Sequence, residues 1–178
     1  MVVIIMPPKT IYYGKDANLN FTSNDYKSQK RWRVEVDRFR EEVCNVDPNI
    51  TINTDNIQQG EVDITVSNFQ KSGHDLVLVV EISREYPIYP PFVWIKQPTL
   101  IPKATNLPFA VFSGVPCIKE LSISGWSPVL NLTKVFMFTY SAFNENCCVY
   151  PKAHINTRSA AIIGATSLYN SHRDWYDT

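Results

Sequence analysis

Between residues 24 and 45 the apolar positions Trp32, Val36, Phe39 and Val43 recur at i, i+4, i+7 and i+11, one stripe of a helix packed on a core. Lys27, Arg31 and Arg38 gather on another side of it. Asn24 is placed to cap the start, and Asp47-Pro48 lies just beyond the end. The period then changes to two. Ile50 and Ile52, and next Val62, Ile64 and Val66, alternate with polar residues between Asn, Asp, Gln and Gly turn signals. Leu76 to Ile82 is nearly continuous and β-branched, the pattern of a strand covered on both faces, and Phe92 to Ile95 reads as a fourth strand. From Pro98 to Pro116 no period is visible, which predicts a long functional or mobile loop. The helical period returns over Leu132 to Ala142 and around Ala160 to Leu168, with a last amphipathic piece near Trp175.

The order of a helix, a four-stranded meander, a long loop and further helices predicts an α+β fold, an antiparallel sheet covered by helices. Residues 24–178 are expected to form the domain. Residues 1–23 mix Pro7-Pro8, Asn18 and Asn20 with isolated apolar positions and predict an extended or mobile tail.

Composition narrows the function classes. With 178 residues and 44% hydrophobic positions there is material for one sizeable core. Lys and Arg number 17 and so do Asp and Glu, so no net charge points to nucleic acid. The apolar Met1 to Met6 is far shorter than a spanning helix and lacks the flanks of a signal peptide. The expectation is a soluble cytoplasmic or nuclear monomer without a nucleic-acid or membrane partner. Cys44, Cys117, Cys147 and Cys148 show no zinc-like spacing, and His74, His154 and His172 are scattered, so no metal or cofactor is expected.

Three short motifs stand in order among these elements. Tyr86-Pro87-Ile88-Tyr89-Pro90-Pro91 lies between the third and fourth strands, Cys117-Ile118 ends the long loop, and Trp126-Ser127-Pro128-Val129-Leu130 leads into a helix. They resemble the Tyr-Pro-x-x-Pro-Pro turn, the catalytic Cys-Leu and the Trp-Ser-Pro-Ala-Leu segment of ubiquitin-conjugating enzymes. Cys117 precedes Trp126 by nine residues, one more than the family's common spacing. Asn49-Ile50-Thr51-Ile52, Lys71-Ser72-Gly73, the extra residue before Trp126 and the N-terminal tail are similar to the branch that carries the cullin-modifying ubiquitin-like protein.

The resemblance implies a thioester carrier. A cysteine thiolate is both nucleophile and leaving group, so it takes an acyl group from another thioester and releases it to an amine. Cys117 would be that residue, with ubiquitin or a ubiquitin-like modifier, an activating enzyme and a ligase domain as partners. Ligases would meet Ile88, Pro128 and Val129. The basic face of Lys27, Arg31 and Arg38 would meet the activating enzyme, a solvated charged face being the alternative.

Two departures bear on activity. The family's His-Pro-Asn motif falls here on Ile101-Pro102-Lys103, keeping only the proline. Lys103, by lowering the thiol pKa or facing the oxyanion, and Asn106, by donating a hydrogen bond, are candidate replacements; solvated loop residues are the other reading. The segment Asn146 to Lys152 carries no acid where the family tends to orient the attacking lysine. Weak aminolysis is therefore expected, and the alternative is a non-catalytic variant that serves as a binding module.

Overall fold

The computed structural model describes residues 26–103, 111–112, 114–116, 118–122, 125–150 and 156–163; of Tyr26, Lys27, Val111 and Phe112 only the main chain is described. The expected tail, Asn24 and the piece near Trp175 lie outside the described residues.

The apolar stripe builds α1, Tyr26–Phe39, and Trp32, Val36 and Phe39 are all buried. The helix does not end as a regular α-helix. Arg40–Cys44 forms a π turn, in which Asn45 N–H donates to Arg40 O at 2.9 Å. Hydrophobic periodicity does not register one widened turn, and Val43 stays on the core side through it.

Four strands follow: β1 Ile50–Asn53, β2 Glu61–Val66, β3 Leu76–Glu81 and β4 Phe92–Gln97. They pair antiparallel in chain order. The register sets Ile52 beside Ile64, Ile64 beside Leu78, and Leu78 beside Ile95, so alternate side chains make one continuous row. That row meets α1 and the later helix α2, Leu132–Asn146, through Leu132, Val135, Phe136 and Phe143. Phe39 and Phe136 meet edge to face, with centroids 5.3 Å apart. Each such buried ring contributes about 1.5–3 kcal/mol from removal of apolar surface from water. Asn131 caps α2, its side chain accepting from Lys134 N–H at 3.0 Å.

The second face of β3 is covered too. Val77, Val79 and Trp94 are buried there, and residues 156–163, helical from 158, bring Arg158 onto Glu81 and bury Ala161. This double coverage is what the unbroken apolar run of β3 requires.

The described parts of the stretch 98–116 include strands where a loop is expected. β5, Leu100–Pro102, pairs with β8, Cys147–Val149, at the end of α2. β6, Val111–Phe112, and β7, Val115–Pro116, form a hairpin turned by Gly114 at φ +87°. The partner of β5 lies beyond α2 in the sequence, and two- or three-residue strands carry no readable period.

Candidate active-site and docking region

One buried carboxylate organises one end of the molecule. Glu35 lies on the apolar face of α1, three residues after Trp32, and its side chain is only 7% exposed. Its Oε2 accepts from Tyr86 Oη at 2.6 Å and from Leu132 N–H at 2.9 Å, while Oε1 accepts from Arg31 Nε at 2.7 Å. Three donors compensate the desolvation of the charge. Burial first, and then the Glu35 charge, hold the Tyr86 phenol far above its ordinary 10.0, so it remains a donor.

Arg31 extends the network. Its Nη2 donates to Pro128 O at 2.6 Å and Leu130 O at 3.1 Å, and the guanidinium lies 5.6 Å from the Tyr86 ring centroid. Trp126 completes it, donating Nε1–H to Pro87 O at 2.8 Å and packing 6.2 Å from the Tyr86 ring. The 86–91 turn and the 126–130 segment are thus fastened to each other and to α1. Their tips remain in solvent: Ile88 is 70% and Val129 84% exposed. A groove of about 650 Å³ beside them is lined by Lys30, Val34, Arg38, Val129 and Asn131.

Cys117 and Asn106 lie outside the described residues. The chain on both sides of Cys117 is described. Val115 and Pro116 are buried in β7, and Gly114 O accepts from Ile95 N–H at 2.7 Å, which lays the hairpin on the free edge of β4. On the other side, Ile118 packs against the core and a 3-10 turn, Lys119–Leu121, follows. Trp126 N–H donates to Ser122 O at 2.9 Å, tying the tryptophan back to this segment. Gly125 approaches the Lys119 main chain so closely that no side chain fits.

Lys103 is brought elsewhere than a free cation would be. Its Nζ donates to Asn144 O at 2.9 Å and Glu145 O at 3.0 Å, at the C-terminus of α2. Unpaired carbonyls and the helix dipole both favour an ammonium there. Gln70 caps the same end, its Nε2 donating to Asn144 O at 3.2 Å and Cys147 O at 2.8 Å. To reach it the chain holds Asn68, Gln70 and Lys71 at φ 49°, 53° and 57°, with Asn68 Oδ1 accepting from Gly73 N–H. Sequence reasoning missed Gln70, and nothing local in the sequence marks its target. It also missed Glu35, although an acid on a buried stripe beside Arg31 at i−4 was a legible signal.

Of the basic face, Arg31 is half-buried and bound to main-chain carbonyls of the 126–130 segment, and Lys27 has no described side chain. Arg38 is exposed, 3.7 Å from Glu42, an ion pair of little energy at that exposure.

No protein-family model and no curated protein sequence matches the chain. Solved structures do. The chain is similar to a ubiquitin conjugating enzyme E2 from Plasmodium falciparum, with 21% identity, TM-score 0.50, and 64% of this chain and 81% of that chain covered. It is also similar to the ubiquitin conjugating enzyme E2 UbcA1 from Agrocybe aegerita, at 25% identity and TM-score 0.48, with 71% and 86% covered. The fold is that of ubiquitin-conjugating enzymes. Within this fold Tyr86 to Pro91 joins β3 to β4, and Trp126 opens the segment that leads into α2.

Proposed function

We propose that this chain is a conjugating transferase that carries a ubiquitin-like modifier as a thioester on Cys117 and passes it to a lysine with a ligase. The observation that supports the reading is the fastening of Trp126 to Pro87 and to Ser122, which joins the two motifs that flank Cys117 in the sequence. A thiolate there exchanges with the thioester of an activating enzyme, and the acyl group leaves when an amine attacks. Ile88, Pro128 and Val129 form the apolar tip for a ligase, suited to a small transient interface. Lys30 and Arg38 form a basic rim that would meet the activating enzyme. The segments Asn49 to Ile52 and Lys71 to Gly73 support a cullin-modifying ubiquitin-like protein as the modifier.

A second reading has its own support. The Lys103 ammonium is committed to the α2 carbonyls, and no His or Asn occupies the positions of the family motif. That favours a binding module with slow discharge or none, unless Asn106 supplies the donor. A charging assay with a panel of activating enzymes and modifiers separates the two. The transferase gives a reductant-sensitive adduct, and in it Asn106→Ala slows discharge to free lysine more than loading. No adduct with any modifier leaves the binding module.

A further inference from the structure

We infer that Asn156 is a positioning residue for Cys117: the C-terminal segment 156–163 locks the β6–β7 hairpin onto the free edge of β4, and Asn156 is the bolt. The inference rests on the transferase reading for its catalytic consequence only.

The free edge of β4 presents the two main-chain groups of Ile95. Its N–H donates to Gly114 O at 2.7 Å, and its carbonyl accepts from Asn156 Nδ2 at 2.9 Å. An unpaired edge carbonyl beside the hairpin would otherwise have to be solvated. The Asn156 main chain is fixed as well. The register steps from Leu78 beside Ile95 to Val77 beside Gln97, so Lys96 is the extra residue of a bulge, and its carbonyl accepts from Asn156 N–H at 2.7 Å.

The contact with the hairpin is close. A Cβ on Gly114 would stand 3.1 Å from Asn156 Nδ2 and 2.9 Å from Ile95 O, and Gly114 holds φ +87°. Only glycine lets turn, edge and amide approach together. Gly114 is three residues from Cys117, and the residues between, Val115 and Pro116, are buried.

The segment that presents Asn156 is itself anchored. Arg158 Nε lies 2.9 Å from Glu81 Oε1 and Nη2 lies 2.7 Å from Oε2, while Trp94 Nε1–H donates to Glu81 Oε1 at 2.8 Å. Glu81 is nearly buried, so this bidentate pair is costly to break. Thr157 Oγ1 accepts from Ala160 N–H at 3.2 Å and starts the helical turn behind it. The hairpin that immediately precedes Cys117 in the chain is thus held by residues about forty positions downstream in the sequence. Among the described residues the hairpin itself pairs Val111 with Pro116 and Phe112 with Val115.

Amide hydrogen exchange of the full chain tests this, with Asn156→Ala and the near-isosteric Asn156→Asp, which puts an oxygen against Ile95 O. The expected result is exchange about tenfold faster in peptides spanning 111–116, with β1 to β3 unchanged, and partial recovery in Asn156→Gln. Loading of Cys117 should slow by a similar factor. Unchanged hairpin exchange, or a uniform rise across β1 to β3, would overturn the positioning role. The exchange measurement needs no modifier, so it stands even if the parent forms no thioester. Faster hairpin exchange with unchanged loading in a parent that does charge would overturn the catalytic consequence.

Discussion

The phenol of Tyr86 and the carboxylate of Glu35 meet at 2.6 Å across 51 residues of sequence, both buried, and this contact joins the 86–91 turn to α1. Glu35 also holds the first N–H of α2 and the Arg31 guanidinium, so one side chain fixes the relative positions of three elements.

Tyr86→Phe is expected to lower stability by about 2 kcal/mol, the scale of a buried hydrogen bond to a charged group. Glu35→Gln should cost more, because the three donors then face one remaining acceptor oxygen and an amide that itself donates. Denaturant unfolding of both variants checks the order; equal stability of Tyr86→Phe and parent would show that the contact contributes nothing.

Ile88→Ala and Arg31→Ala should weaken ligase binding by different routes. Ile88 is an exposed anchor, and its truncation is expected to cost more than about 1 kcal/mol of affinity at unchanged stability. Arg31 instead acts on the segment itself. It holds Pro128 O and Leu130 O, so its loss should lower stability and loosen the segment that carries Val129. Calorimetric binding paired with melting curves distinguishes them.

The fold was legible where periodicity was long. The Trp32 to Val43 stripe, the alternation of Val62, Ile64 and Val66, and the unbroken run at Leu76 each predict the element found. What escaped were contacts between distant segments: β5 with β8, Gln70 and Lys103 on α2, and Asn156 on Ile95. Each depends on a partner more than 40 residues away, and a polar side chain gives no sign of which main-chain group it will meet. Arg31 was legible as part of a basic face but not as a strut between α1 and the 126–130 segment, since charge alone does not tell a free cation from a guanidinium that binds main-chain carbonyls.

Alkaline stability should report on Cys147. Burial first, and then a thiolate at Cys148, push its thiol up to about 11 from the ordinary 9.0, against the pull of Lys103. The unfolded chain gives up this proton near pH 9 and the folded chain near pH 11. The folded state therefore binds the proton more tightly, and its contribution is full below pH 9 and declines toward pH 11. Stability against pH for Cys147→Ala should fall less steeply across that window than for the parent. Parallel curves would place no burden on this thiol.

Of the four cysteines, Cys117 is the one proposed to bear the modifier. The most direct measurement is peptide mapping by mass spectrometry of the charged adduct, isolated without reductant, beside Cys117→Ala and Cys117→Ser. The expected result is a thioester on the peptide containing Cys117, none in Cys117→Ala, and a longer-lived ester in Cys117→Ser, because an alkoxide leaves less readily than a thiolate. An adduct on Cys44 or Cys148, or undiminished charging of Cys117→Ala, would contradict it.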